Sequence, residues 1–463
     1  MRIKKLLSRK QKKLKEELIE YEIRKIGRQL AGEMIKNYDP EWPDPELTKK
    51  EKELLAARYE VTRALADERK IRRYKKRDFL FFKYWPGVYQ KGCKKPIDEK
   101  LALFVNDHYD TLPDNMQDIY EKLSQMGYTC ELLLNPKAPD KGLGKQFVYF
   151  LYYRKFTKRY ARAKFVFFTE YFMPLYANKP RKGTHTVQLW HASGAFKKFG
   201  YSTADTSWGM SRETMEKFPI HNTYTDVFVS APKVVEAYDD AFHCGTDIIR
   251  PLGTPRTDEY YAPGRVERGR AAVEKLCPGI NGRKIILYAP TFRGNSIKKS
   301  YIHSPLDYKA LFDALSDRYI FVSKLHPLVR NATELDEATA ASTEGFLYDI
   351  SATASIEDAL CAADMVISDY SSLIFDYSLL ERPMIFYAYD LEEYEEGRSF
   401  YYPYRDFVPG PIVTDTAGII AAVNEQDRSF DRERVARFRQ EFMSACDGHA
   451  TDRILDYLIN ADQ

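Results

Sequence analysis

The sequence predicts an α/β protein with two consecutive parallel-sheet domains behind a charged helical segment. Three observations carry this reading. From residue 100 onward, short apolar runs alternate with helix-length amphipathic segments. The alternation breaks at the Pro- and Gly-bearing stretch YYAPGRVERG and then starts afresh. Basic charge is confined to one end: residues 1–77 carry 24 Lys and Arg against 14 Asp and Glu, a net +10, whereas residues 78–463 are net −6. With 463 residues, 44% hydrophobic and 30% charged, the chain has material for two or three cores, which excludes a small stapled scaffold and a disordered chain.

In chain order, Leu7, Leu14, Leu18 and Tyr21 recur near helical spacing in a Lys/Arg/Glu background, so residues 3–35 predict an amphipathic helix. Pro40, Pro43 and Pro45 end it, and Thr48 with Glu51 fits a capping box before a second charged helix over 54–74 that closes on RKIRRYKKR. Three readings of this segment stand side by side: contact with an anionic membrane surface, docking on the acidic body, and self-association into a homo-oligomer.

The buried-strand candidates of the first series are LALFV (101–105), CELLL (130–134), KFVFFT (164–169), TVQLW (186–190) and DVFVS (226–230). Those of the second are KIILYAP (284–290), YIFVSKL (319–325), GFLYDI (345–350), DMVIS (364–368) and PMIFYAY (383–389). Apolar strands separated by helices build parallel sheets, so two Rossmann-like domains follow, split near residue 263. The expected boundaries are 1–77, 78–262 and 263–463, the last including terminal helices after about 416. Ligands of such sheets bind at the carboxyl ends of strands, facing the interdomain cleft.

The six cysteines show no CxxC and no framework spacing, which predicts reduced thiols in a cytosolic protein. The eight histidines form no metal-hydrolase pattern, so no metal site is expected. No apolar run reaches the roughly 18–20 residues of a spanning helix, and the first residues are too charged for a signal peptide. Walker, kinase, GxSxG and helicase patterns are missing; GLGKQF (142–147) has only two glycines of a dinucleotide fingerprint and reads as a loop.

Polar residues directly after the strands are the candidate site. His191 in TVQLWHASGAFKKFG is followed by small residues, then Lys197 and Lys198: room for a substrate atom beside cations, hence a candidate general base. YIFVSKLHPLVR ends a strand on His326, with Arg330 a turn later. In DMVISDYSSLIFDYSLLERP, Asp369 and Tyr370 precede Ser371 and Ser372 at a helix start, where hydroxyls and unpaired N–H groups suit a phosphate or a simple N-cap. The loops PLGTPRTDEYY, with Arg256 and Asp258, and YAPTFRG, with Arg293, add charge near the same cleft.

Taken in order, QLWHASGAFKKFG, PLGTPRTDEYY, ILYAPTFRG, KLHPLVR, ISDYSSLIFDYSLLERPMIFYAYD and FVPGPIV resemble the CDP-glycerol glycerophosphotransferase family over roughly residues 100–415, and LPDNMQDIYEKL resembles its SDNxxxIY-like text. The resemblance implies a GT-B-like fold, with 78–262 as acceptor domain and 263–463 as CDP-donor domain. It implies transfer of glycerol or ribitol phosphate from a CDP-alditol to a lipid-linked or polymer acceptor, with CMP released, in teichoic-acid or capsule-like synthesis. Carried onto this chain, His191 is the base and His326 stabilises the donor pyrophosphate. Arg293, Arg330, Asp369, Ser371 and Ser372 hold the donor, supported by Lys197, Arg256, Asp258 and Arg382. No cofactor is expected beyond the donor, and no nucleic-acid partner; the basic end would meet the inner face of the cell membrane. One departure stands out: the family's Gly-Thr-Pro after the histidine is Ala192, Ser193 and Gly194 here. A glycosyltransferase using a nucleotide sugar is the alternative reading on the same fold; a non-catalytic anion-binding scaffold leaves the strand-end histidines unexplained.

Overall fold

The computed structural model describes residues 70–206, 209–293, 305–325, 337–397 and 399–460, with Lys49, Lys52, Glu53 and Ala56. The chain divides into two compact units, Met1–Tyr84 and Trp85–Gln463. In the first, residues 70–79 are helical and run into a π-helical turn at Leu80–Tyr84. Lys49, Lys52, Glu53 and Ala56 are helical, and the rest of the expected N-terminal hairpin lies outside the described residues.

The second unit holds two six-stranded parallel sheets. The first orders its strands β2-β1-β3-β4-β5-β6: β1 (Asp98–Val105), β2 (Thr129–Leu133), β3 (Ala163–Phe168), β4 (His185–Gln188), β5 (Asp226–Phe228) and β6 (Ile249–Arg250). The second runs β12-β11-β10-β7-β8-β9: β7 (Lys284–Ala289), β8 (Tyr319–Ser323), β9 (Leu347–Asp349), β10 (Met365–Ser368), β11 (Met384–Tyr387) and β12 (Ile412–Val413). Every ladder among the described residues is parallel; Phe104 of β1, for example, faces Phe167 of β3, and Ile367 of β10 faces Tyr288 of β7. The apolar runs became strands because both sheet faces are covered, so alternation is not needed: Leu101 to Phe104 and Ile286 to Leu287 are all fully buried.

Each sheet has a switch point where the strand order reverses, between β1 and β3 in the first and between β7 and β10 in the second. Loops leaving those strands open a crevice at the carboxyl edge. Two sequence expectations change. GLGKQF is the first turn and a half of the helix Gly142–Tyr160, because Gly142 at φ +89° leads the chain into it from extended Lys141. The terminal helix Ala450–Asn460 does not belong with the second sheet: Ile454, Leu455 and Leu458 pack against Ala102, Phe104 and Val187 of the first. Each such buried side chain contributes roughly 1.5–3 kcal/mol, so the chain's end ties back to its first domain.

Candidate active site

A cleft of about 690 Å³ lies between the two domains. One wall is the loop after β4, Trp190 to Gly200; the other is Pro290, Thr291 and Phe292 after β7 with Ser371 and Ser372 after β10. The second wall is therefore the switch point of its sheet.

The loop after β4 is shaped by a backbone conformation that bulky residues rarely adopt, Trp190 at φ +54°. Its surroundings over-determine it. The fully buried Gln188 accepts the Trp190 N–H through Oε1 at 2.8 Å, Asn115 Nδ2 donates to the Trp190 carbonyl at 2.7 Å, and the indole stacks on Phe199 at 4.9 Å. The turn delivers His191 to the cleft with its side chain half-exposed. Neither Gln188 nor Asn115 was singled out by sequence reasoning, although Asn115 lies in the LPDNMQDIYEKL text; a buried amide in an apolar run is the signal that marks Gln188.

Ser193 and Gly194, part of the departure from the family pattern, stand at the interdomain contact. Gly194 sits at φ +64°, and a Cβ there would lie 2.5 Å from the ring of Phe375 in the opposite domain. Ser193 donates to Asp376 Oδ1 at 2.7 Å, and Arg256 Nη2 donates to Asp376 Oδ2 at 2.6 Å. Beyond them, Lys198 N–H donates to the Ser399 carbonyl, Tyr401 N–H to the Phe196 carbonyl, and Lys197 bridges Phe400 as an isolated antiparallel pair. Arg256 thus joins the domains through Asp376, and Lys197 lines the cleft.

Several of the expected donor-binding and supporting residues are hydrogen-bonded within the protein. Arg293 Nε and Nη2 grip Asp390 at 2.6 and 2.9 Å, and Nη1 donates to Asp369 Oδ2 at 3.0 Å and to the Thr291 carbonyl at 2.5 Å. Asp369, itself buried, accepts the N–H groups of Thr291 and Tyr370. The pair ties the β7 loop to the β10 loop and so positions Thr291, Ser371 and Ser372. Asp258 accepts the N–H groups of Ala450 and Thr451 at 2.9 and 2.8 Å and so caps the terminal helix. Arg382 Nη1 binds the carbonyls of Cys361 and Ala363, closing the helix Ile356–Ala362. Ser371 and Ser372 do line the cleft; the helix they open, Leu373–Ser378, has six residues, and Ser372 makes no side-chain cap bond. His326 and Arg330 lie outside the described residues. Among the described residues no group of three or more His, Cys, Asp or Glu side chains gathers as metal ligands do.

Two Rossmann-like sheets with strand-end loops on both walls of one cleft define a protein of GT-B-like architecture. More particularly, the chain belongs to the CDP-Glycerol:Poly(glycerophosphate) glycerophosphotransferase family, whose model matches residues 88–460. It is 35% identical over 364 residues to the teichoic acid ribitol-phosphate primase of Bacillus spizizenii, covering 78% of this chain and 92% of that protein. It is 29% identical over 299 residues to the teichoic acid glycerol-phosphate primase of Bacillus subtilis, 64% of this chain and 74% of that one. Against the Bacillus spizizenii teichoic acid poly(ribitol-phosphate) polymerase, at 32% identity and 79% of this chain, the match spans 57% of that protein's length. The solved wall teichoic acid polymerase TagF shares the fold, with a TM-score of 0.64 at 23% identity over 86% of this chain and 98% of that one.

Proposed function

We propose that the enzyme transfers glycerol phosphate or ribitol phosphate from its CDP conjugate to a hydroxyl of a lipid-linked or polymer acceptor, in the synthesis of a teichoic-acid- or capsule-like polymer. The observation that carries the reading is the cleft with His191 on one wall and the Thr291, Ser371 and Ser372 loops on the other. The relatives' alditol-phosphate chemistry supports the donor class. In this mechanism the acceptor oxygen attacks the β-phosphorus in line, its proton passes to His191, and the bond from that phosphorus to the bridging oxygen breaks to release CMP. A base at the acceptor and hydroxyl and N–H donors at the transferring phosphoryl are what such a step requires. Ser371, Ser372 and the Thr291 loop face the donor, and His326 with Arg330, which follow β8 in the sequence, assist it.

Purified enzyme with CDP-glycerol, CDP-ribitol, or a UDP- or GDP-sugar and a lipid-linked acceptor decides the donor: CMP release with one CDP-alditol supports the reading, and turnover only with a nucleotide sugar replaces it. Sizing the product separates single addition from polymerisation. Residues 1–77, net +10, bring the enzyme to the anionic cytoplasmic membrane face in this reading, each basic residue contributing about 1 kcal/mol when it reaches the surface. Flotation of full-length protein on anionic but not neutral vesicles, lost at high salt, is the expected result; no lipid preference would leave the segment a structural one.

A further inference from the structure

We propose that Glu170 is the positioning residue of His191: its carboxylate holds the imidazole in the tautomer and orientation that leave Nε2 as the proton acceptor. The proposal rests on the reading of His191 as the base. Glu170 follows β3, at the switch point of the first sheet, and its Oε1 lies 3.0 Å from His191 Nδ1. The carbonyl of Thr169 lies 3.4 Å from the same nitrogen. Both neighbours of Nδ1 are acceptors, so in the neutral ring Nδ1 carries the proton and Nε2 keeps its lone pair. A proton gained at Nε2 creates an imidazolium beside a carboxylate, the division of labour by which a histidine–carboxylate pair serves acyl transfer on unrelated folds.

The pair has a rigid support. Gln188 Nε2 donates to the Glu170 carbonyl at 3.2 Å while its Oε1 accepts the Trp190 N–H. One buried amide therefore ties together the ends of β3 and β4, which deliver the carboxylate and the imidazole. The same Nε2 donates to Tyr224 at 2.9 Å, whose hydroxyl meets Tyr176 at 2.6 Å and His221 at 2.9 Å, all buried. The other charged groups on this side are Asp107 and His108, after β1, with the Tyr109 and Tyr171 hydroxyls nearby. Asp107 lies 3.1 Å from His108 and, by that hydrogen bond, raises its pKa. His108 thus has its own hydrogen-bonded carboxylate, Glu170 adding to the rise only through its charge, while the short contact of Glu170 is to His191.

The test is a double-variant cycle on the full chain, following CMP release from the CDP-alditol the enzyme uses. Glu170→Gln is expected to lower kcat by about 10- to 10⁴-fold, the upper end being the loss when the carboxylate of such a pair becomes an amide. Donor KM should stay within about twofold, because the donor wall is untouched. In the His191→Ala background the same substitution should change nothing further, since two groups acting as one unit are not additive. Glu170→Asp, which keeps the charge, should recover part of the rate and serves the same cycle if the Gln variant is unstable. A wild-type kcat for Glu170→Gln with an inactive His191→Ala overturns the positioning role alone, as does an equal loss in both backgrounds. A fully active His191→Ala instead removes the base, and the proposal with it.

Discussion

The strand-end loops of the two domains use the same kinds of residue to different ends. After β7 and β10, Arg293 has all three nitrogens bonded, to Asp390, Asp369 and the Thr291 carbonyl, with Tyr370 and Tyr394 rings each 5.1 Å from its guanidinium carbon. Its charge is spent on closing the loops. After β3 and β4, the closing is done by neutral groups, Gln188, Asn115 and backbone amides, so one nitrogen of His191 meets Glu170 and the ring stays half-exposed toward the cleft. A charged or titratable side chain at the end of a parallel strand is available for chemistry where other groups hold the loop.

Two substitutions of similar free energy should therefore land in different observables. Arg293→Met leaves Asp369 and Asp390 desolvated without their cation, and breaking such a buried pair costs about 3–5 kcal/mol of stability; thermal or urea unfolding should show it. A stable variant with a raised donor KM would return Arg293 to the donor site. His191→Ala should lower kcat by about 10²- to 10⁴-fold, or roughly 3–5 kcal/mol of barrier, with the unfolding midpoint almost unmoved. Loss of both stability and rate in the same proportion would erase the contrast between the domains.

A smaller effect probes the neutral support beneath His191. Burial lowers the pKa of His221 to about 3. The unfolded chain takes up this proton below about pH 6.5 while the folded one refuses it, so stability falls as pH drops, by about 2 kcal/mol between pH 6.5 and 5. His221→Asn, which tolerates the φ of +67° found there, should be less stable at pH 7 but lose that part of the acid slope. Unfolding curves at pH 7, 6 and 5 check it; equal slopes would mean that the imidazole takes up its proton as readily in the folded chain as in the unfolded one. Smallest is Asp258→Ala, which removes the carboxylate from the start of the terminal helix and should cost about 1 kcal/mol with kcat unchanged. A kinetic loss at full stability would put Asp258 back in the site.

The amino-acid sequence by itself determined the two-domain parallel-sheet plan, because apolar runs of strand length bounded by turn residues are local signals that need no partner to be read. Ten strands stand where those runs are; β6 and β12, two residues each, are too short to carry a pattern. The sequence also pointed to the loops after β4, β7 and β10 that line the cleft, since residues after parallel strands fall at one edge of the sheet, whereas the loop with Arg256 and Asp258 does not line it. Tertiary structure alone decided which of their charges remain for chemistry. Arg293 finds Asp390 97 residues away, Arg256 finds Asp376 at 120, and Asp258 finds the terminal helix at 192. Glu170, 21 positions before His191 in the chain, becomes its neighbour only through the pairing of β3 with β4. Spacing along a chain says where a side chain starts, but Coulomb attraction and hydrogen bonding act over a few ångströms, and those distances exist only once the sheets have formed.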